Sequence, residues 1–377
     1  MTTLRYNPRL DGLRCFAVFG VLPVHFVPDS SFLQYIDTGN LGVKLFFVLS
    51  GYLITSSLLD YRDRIDRGGW TLRQALHAFY VRRFLRLSPV YFAYLMLALL
   101  LLPGIRPHIG WYFAYLQNFL FAAKPEIFAK YLAHFWTLAI EEQFYLLVPA
   151  LLLLAPRRQI LPLVIGLAAV GVLFRAAGLA FGLSEFSTKM MVPAQADTLA
   201  IGALLAVLRR NKDEAAAGLL LRLGWIAGLP LALACQVAHV FGLLGPAVFV
   251  VENFALGWFF VSLIGAASSE RPATGLGLLE LPALVFLGRI SYGIYVYHFN
   301  VPGLLRDVLF PRLGLALPDS DSVRFALYAC VSVAIAAASF YAYERHFNRL
   351  KDRLGAGAQA PARQGPDQAG AAAYAKP

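Results

Sequence analysis

The chain has 377 residues, of which 59% are hydrophobic and only 15% are charged. Soluble domains carry about 25% charged residues, and apolar runs long enough to cross a bilayer recur here from end to end, so the composition excludes a soluble globular protein. The net charge of +11 does not indicate nucleic-acid binding, because the basic residues cluster in short loops between apolar runs, where they determine membrane topology.

The apolar runs predict an all-α, polytopic membrane bundle of about ten helices. The expected spans are 12–28, 41–59, 87–103, 134–154, 160–181, 192–208, 222–241, 247–268, 283–304 and 322–345. We interpret the first run as a retained span, since it carries charged and proline residues and lacks a clear cleavage site. One transmembrane domain, 1–350, is expected to precede a disordered tail, 351–377, rich in Ala, Gly, Pro and Gln.

The distribution of basic residues predicts the orientation. The basic loops precede the first span, connect spans two and three (60–86), four and five, and six and seven, and follow the last span. With ten spans these loops all fall on one side, so both termini are expected to be cytoplasmic.

Two connections are expected to lie along the membrane surface. Within 60–86, the stretch LRQALHAFYVRRFLRL predicts an amphipathic interfacial helix. The aromatic-rich segment 104–131 is expected to pack at the outer surface.

Arg14 and His25 occupy the first predicted span, where ionisable groups indicate a functional site. Eleven residues of helix correspond to about three turns plus 20°, so the two side chains share a face, with a rise of about 16 Å between them. Arg14 is therefore expected near the cytoplasmic mouth and His25 in the outer half of the membrane.

Other ionisable residues are expected at a depth similar to that of His25. Glu141 and Glu142 lie in the fourth predicted span, Asp197 in the sixth and His298 in the ninth. Adjacent residues on a helix point about 100° apart, so only one of the two glutamates can face a given partner, and the sequence does not decide which. This coincidence predicts a polar chamber in the outer half of the bundle.

Arg83 and Arg86 lie three residues apart in YVRRFLRL and share a helix face. Paired guanidinium groups suit phosphate recognition, although charges that only determine topology would produce the same pattern. The three cysteines are expected to be packing residues, and no metal-binding motif is present.

Seven stretches together resemble the acyltransferase 3 family of integral membrane O-acyltransferases. They are RLDGLRCFAVFGVLPVHF, GNLGVKLFFVLSGYLIT, RRFLRLSPVY, HFWTLAIEEQFYLLVPALLL, ADTLAIGALLA, LGRISYGIYVYHF and YERHF, in that order. The resemblance covers the chain to about residue 350. One departure is Lys44, which replaces an acidic residue that relatives often carry in the second span.

The resemblance implies transfer of an acyl group, usually acetyl from acetyl-CoA, to a hydroxyl of a carbohydrate or glycolipid. It implies a multi-pass protein of the bacterial inner membrane. Acetyl-CoA is then a donor substrate rather than a bound cofactor, and proteins of glycan assembly are expected partners. In this family the first-span pair, here Arg14 and His25, is essential. The RxxR pair falls on Arg83 and Arg86, and the fourth-span Glu on Glu141 or Glu142.

From these residues we expect CoA phosphates to bind Arg83, Arg86 and Arg14, and His25 to act as a general base on the acceptor hydroxyl. Glu141 or Glu142 would orient His25 or bind the acceptor, and His298 and Asp197 would line the chamber. The segment that contains Ser50 and Tyr52 is the expected oxyanion donor. The alternative function is a transporter or flippase for an anionic or sugar-linked substrate, which would use the same buried groups without acyl chemistry.

Overall fold

The computed structural model describes residues 6–128, 132–243, 245–269 and 275–357. Within these ranges the chain is mostly helical and forms no strand. The principal helices are α1 Pro8–Phe26, α2 Thr38–Asp66, α3 Leu72–Leu101, α4 Trp136–Leu154, α5 Arg157–Ala180, α6 Ala196–Arg210, α7 Glu214–Val240, α8 Ala247–Ala267, α9 Pro282–Arg289, α10 Ser291–Tyr297, α11 Asp321–Ser339 and α12 Arg345–Gly357.

Short helical turns connect the principal helices. They are Ser31–Gln34, Pro103–His108, Ile109–Phe113, Gln117–Ala123, Pro125–Phe128, Ala133–Phe135, Glu185–Lys189, Val192–Gln195, Leu276–Glu280, His298–Asn300, Val301–Gly303, Leu304–Leu309, Phe310–Arg312 and Phe340–Glu344.

Within the described ranges, eight helices are long and apolar enough to cross a membrane. They overlap eight of the ten predicted spans, so the structure supports a multi-pass membrane protein. The predicted span 12–28 corresponds to α1, which carries Arg9, Asp11 and Arg14 within 19 residues. The predicted span 283–304 is divided into α9, α10 and several single turns. Neither is apolar and continuous enough to count among the eight, and the total of ten remains a prediction.

Helix α3 corrects the predicted boundary between loop and membrane. The interfacial helix and the third span, expected to be separate, form one continuous helix of 30 residues. A capping box between Thr71 and Gln74 starts it, and Pro89 lies in its interior without interrupting it. At about 1.5 Å per residue the helix is some 45 Å long, so its N-terminal part extends beyond a hydrocarbon core of about 30 Å.

Several of the basic loops lie together at one end of the bundle. Arg157, at the start of α5, pairs with Asp63 and Asp66 near the end of α2 at 2.5 Å each. Arg210, at the end of α6, also pairs with α2, through Asp60 and Asp63. We call this the basic end; it also carries the start of α1, where Asn7 donates to the carbonyl of Ala267. The predicted grouping of these loops on one side therefore agrees with the structure.

Helix α2 packs closely against α6 through glycines. A Cβ atom at Gly51 would overlap the backbone carbonyl oxygen of Leu199, and one at Gly202 would overlap that of Val48. Small residues allow two backbones to approach in this way, which is a common packing mode of membrane helices. The close approach fixes the position of α2, which carries residues of the candidate site.

Other predicted connections differ in detail. The segment 104–131 is not one helix but a series of short ones up to Phe128, and residues 129–131 lie outside the described ranges. Buried Gln117 ties it to the start of α4 by donating to the carbonyl of Phe135 at 2.7 Å. Helix α12 continues to Gly357, past the predicted domain boundary at 350; the rest of the predicted tail, 358–377, lies outside the described residues.

Candidate active site

A cavity of about 650 Å³ opens at the basic end of the bundle. Its walls come from α1, α2, α3, α4, α9, α10 and the segment that begins at Phe340. The charged lining residues are basic Arg14, Arg83, Arg86, Arg289 and Lys351 and acidic Asp11, Glu141 and Glu344. The volume lies within the range of about 300–1,000 Å³ that is usual for small-molecule sites, and the excess of basic groups favours an anionic ligand.

Arg14 lies in the wall of this cavity. Its Nη1 atom forms an ion pair with Asp11 one turn earlier in α1, at 2.6 Å. Asp11 also accepts a hydrogen bond from the Tyr6 hydroxyl at 2.9 Å. Asp11 thus holds the Arg14 guanidinium in place while part of it remains open to the cavity.

Arg83 and Arg86 project from α3 into the same cavity, as their spacing predicted. The Arg83 guanidinium lies over the Tyr145 ring, 4.9 Å from its centroid, which orients its N–H groups. The structure adds Arg289 and Lys351, which sequence reasoning did not single out as site residues. Lys351 had been counted among the basic residues that follow the last span, and Arg289 lies within the ninth predicted span. Only the folding of α9 and α12 against the first helices brings them to this cavity.

The structure distinguishes the two glutamates of α4. Glu141 lines the cavity and accepts a hydrogen bond from the Ser50 hydroxyl at 2.6 Å. Tyr145 in turn donates to Ser50 at 3.3 Å. Glu142 does not line the cavity.

Ser50 and Tyr52, predicted together, have different surroundings. Ser50 lines the cavity beside Glu141, whereas the Tyr52 hydroxyl accepts a hydrogen bond from Arg209 at 2.9 Å, away from the cavity. Residues two apart on a helix point in very different directions, so this separation follows from helical geometry. Tyr52 is held within the packing between α2 and α6.

The inner end of the cavity is formed by Thr137 and Tyr295. Their hydroxyl oxygens lie 2.5 Å apart, and both hydroxyls contact the backbone carbonyl of His134, at 3.1 Å from Thr137 and 2.7 Å from Tyr295. The Tyr295 ring also packs against the rings of His134 and His298, each 5.5 Å away between centroids. A group bound at this end would therefore be one side chain away from a histidine cluster.

We define the histidine cluster as His25, His134 and His298. The His25 ring lies 5.1 Å from that of His298, which lies 5.0 Å from that of His134. His298 is fully buried, His134 nearly so, and His25 only partly buried. His134 was missed as a site residue, although it begins the same HFWTLAIEEQF stretch that contains the glutamates.

Asp197 does not join this cluster. It forms an ion pair with Arg175 of α5, with N–O distances of 2.6 and 3.1 Å, and both side chains are 0% exposed. Arg175 also donates to the carbonyls of Ala194 and Val250. The buried contacts of this pair link α5, α6 and α8.

The predicted single chamber is thus divided into three separate groups. His25 and His298 lie together, Glu141 lies with Ser50 in the cavity, and Asp197 pairs with Arg175. The prediction estimated depth from position along each helix but could not give the direction in which each side chain points, which depends on helix rotation and packing. Lys44, the departure noted above, is fully buried and bonds Gln195, outside the cavity.

The described residues contain no group of three or more His, Cys, Asp or Glu side chains arranged to hold a metal ion. The three rings of the histidine cluster therefore do not form such a site in this arrangement.

Comparison with known proteins gives a family match. The family model described as an acyltransferase domain matches residues 7–344. A Staphylococcus aureus (strain MSSA476) protein that is provisionally named an O-acetyltransferase is 30% identical over 335 residues, covering 79% of this chain and 51% of that protein.

Two further relatives have more specific names. The peptidoglycan O-acetyltransferase OatA of Listeria monocytogenes is 28% identical over 343 residues, covering 81% of this chain and 51% of its own length. The O-acetyltransferase OatA of S. aureus (strain NCTC 8325) is 28% identical over 349 residues, covering 80% and 51%. The chain spans about half the length of the curated relatives it matches. No solved structure gives a significant match.

Proposed function

Because the chain belongs to the acyltransferase family whose domain model matches residues 7–344, we propose that it is a membrane O-acyltransferase. It moves an acyl group, acetyl in the simplest case, from acyl-CoA to a hydroxyl of a cell-surface or exported carbohydrate. The observation that carries this proposal is the position of Arg14, Arg83 and Arg86 around one cavity whose inner end adjoins the histidine cluster.

The donor enters the cavity from the basic end, which in this proposal is the cytoplasmic face of the inner membrane. The phosphates of CoA are anionic, and Arg83 and Arg86 offer paired guanidinium groups that can bind them in a bidentate manner. Arg14, held by Asp11, contributes a third guanidinium further along the wall. The pantetheine arm then extends towards Thr137 and Tyr295, which brings the thioester close to the histidine cluster.

His25 is the general base in this scheme. A neutral imidazole nitrogen accepts the proton of the acceptor hydroxyl as the oxygen attacks the thioester carbonyl. The carbon–sulfur bond breaks, and the CoA thiolate takes up the proton that His25 received, so the base is regenerated and the ester remains on the acceptor. Partial exposure of His25 leaves it accessible to the acceptor, whereas the buried His134 and His298 are not.

Glu141 belongs to the donor side in this proposal. Its hydrogen-bond partner is Ser50, and it shares the cavity with Arg14 and Arg83. The ring contacts of His25, by contrast, are with His298 and Phe299. Glu141 therefore positions the donor in this proposal, whereas the sequence had led us to expect a glutamate that orients His25 or binds the acceptor.

The acceptor is a carbohydrate hydroxyl that reaches His25 from the opposite end of the bundle. The name of the Listeria relative, peptidoglycan O-acetyltransferase, supports an acceptor of this class. An exported carbohydrate requires the acetyl group to be passed from the donor side to the outer side of the membrane, and separate donor and acceptor approaches to His25 would allow this.

The proposal is tested with purified protein in nanodiscs. The protein is incubated with acetyl-CoA labelled in the acetyl group and with isolated cell-wall glycan, and label on the glycan is measured. Arg83→Ala is expected to weaken acetyl-CoA binding about 10- to 100-fold, the usual effect of losing a hydrogen bond between charged groups. The matched control is Arg73→Ala, since Arg73 lies on the same helix but does not line the cavity.

His25→Ala is expected to abolish label transfer while acetyl-CoA still binds. A His25→Ala protein that transfers at the normal rate would show that this residue is not the base. Equal loss of binding in Arg83→Ala and Arg73→Ala would show that the arginines act only through overall charge. Uptake of a sugar-linked substrate without cleavage of the thioester would establish the transporter alternative.

A further inference from the structure

We propose that His298 is a positioning residue that fixes the orientation and tautomer of His25. This inference rests on the proposed function, since it assumes that His25 is the general base. It starts from the ring contact between the two residues, whose centroids lie 5.1 Å apart with an interplanar angle of 55°. At this separation a small rotation of either ring could bring two nitrogens within hydrogen-bond distance.

The hydrogen bonding of His298 determines its tautomer. Its Nδ1 atom lies 2.8 Å from the backbone carbonyl oxygen of Tyr295. A carbonyl oxygen can only accept, so Nδ1 carries the hydrogen, and Nε2 of the neutral ring is left with a free lone pair. Nε2 is buried and has no hydrogen-bond partner among the residues that the structure describes. A buried acceptor without a donor is unfavourable, so a donor is expected to approach it.

His134, the other ring in contact with His298, cannot be that donor in its neutral form. Its Nε2 lies 3.3 Å from the carbonyl oxygen of Val296 and must carry the hydrogen. Its Nδ1 is then a second acceptor, also buried and without a partner. Two acceptors cannot hydrogen-bond to each other, so among the three rings His25 is the one able to donate to His298.

The arrangement gives His25 the two properties that a general base needs. One ring nitrogen of His25 donates a hydrogen bond to Nε2 of His298, and this bond fixes the tautomer and the ring plane of His25. The other nitrogen then holds its lone pair towards the acceptor hydroxyl. His298 thus occupies the place that a carboxylate takes in a Ser-His-Asp triad. The proton taken from the hydroxyl stays on His25 until the departing thiolate accepts it, so His298 itself gains no proton.

The test compares two substitutions at His298. His298→Phe keeps a planar ring but removes the acceptor, and His298→Gln keeps an amide oxygen that can accept from His25. We expect His298→Phe to lower kcat about 10- to 100-fold, the usual effect of losing one hydrogen bond in a buried site. The KM for acetyl-CoA should stay unchanged, because the donor cavity lies beyond Tyr295. His298→Gln should recover most of the lost kcat.

The control is His239→Phe, which replaces an exposed histidine at the end of α7 and should behave as wild type. The midpoint of thermal unfolding and acetyl-CoA binding show whether each variant is folded. A folded His298→Phe protein with wild-type kcat would overturn the proposal. So would equal losses in His298→Phe and His298→Gln. If His25→Ala retains activity, the part of the proposed function that makes His25 the general base fails instead, so the two failures are distinguishable.

Discussion

Substitution of Asp197 tests whether its buried ion pair with Arg175 stabilises the fold. Asp197→Ala would remove one partner of a pair whose side chains are both 0% exposed. Arg175 would keep its contacts with the carbonyls of Ala194 and Val250, but its charge would have no counter-ion. Breaking a buried pair in this way costs about 3–5 kcal/mol, mostly because an uncompensated charge stays buried.

This destabilisation is measurable as a shift in thermal unfolding. At an unfolding entropy of about 2.1 cal/mol/K per residue, a chain of 377 residues has an unfolding entropy of about 0.8 kcal/mol/K. A loss of about 3–5 kcal/mol should therefore lower the midpoint in detergent by about 4–6 °C at a fixed heating rate. The control is Asp307→Ala, which breaks a pair with Arg306 whose side chains are 57% and 65% exposed; its midpoint should not change. The double variant Arg175→Met, Asp197→Leu should recover most of the loss, since apolar residues can replace a buried pair.

The result also decides between packing and substrate contact. If Asp197→Ala unfolds at the wild-type temperature, the reasoning from burial is wrong. If the variant unfolds at the wild-type temperature and its KM for the glycan acceptor rises, Asp197 contacts the acceptor, as the sequence led us to expect. If the midpoint falls and the KM values measured well below it are unchanged, Asp197 is a packing residue.

Three further predictions concern the cavity and the helix packing. Glu141→Ala is expected to lower acetyl transfer about 10-fold by removing the hydrogen-bond acceptor of the Ser50 hydroxyl. Glu142→Ala should change transfer less than about twofold, because Glu142 does not line the cavity. Equal losses in the two variants would contradict this. Arg289→Ala should raise the KM for acetyl-CoA about two- to fivefold at low salt and less at high salt. The Arg289 side chain is 54% exposed, so dissolved ions screen its charge. A salt-independent effect would place the arginine in a buried contact. Gly51→Ala should destabilise the protein by about 1–3 kcal/mol, because the added Cβ overlaps a carbonyl on α6. The measurement is the midpoint of thermal unfolding. The control Gly110→Ala adds a Cβ in open space and should be tolerated.

Several features of the site could be predicted because they depend on local spacing. Arg83 and Arg86 share a helix face at any rotation of that helix, and the structure places both in one cavity. Arg14 and His25 were placed at different depths along one helix, and the structure brings them into contact with different groups, Asp11 and His298. Helix periodicity alone was sufficient to predict the shared face of Arg83 and Arg86 and the separation of Arg14 from His25 along α1. It did not predict the contacts with Asp11 and His298.

Other features required knowledge of how helices are rotated against one another. The sequence could not choose between Glu141 and Glu142, since both lie at the same depth of α4 and differ only in direction. It also could not pair Asp197 with Arg175, 22 residues earlier in the chain.

The sequence by itself determined that this is a polytopic helical membrane protein of acyltransferase type, because hydropathy, loop charge and short motifs are local properties of the chain. Only the tertiary structure decided which polar groups meet. His134 and His298 are 164 residues apart in numbering, and their rings lie 5.0 Å from each other because the turn before α4 contacts the broken ninth span at this point. Contacts of this kind depend on the rotation and tilt of whole helices, which long-range packing sets.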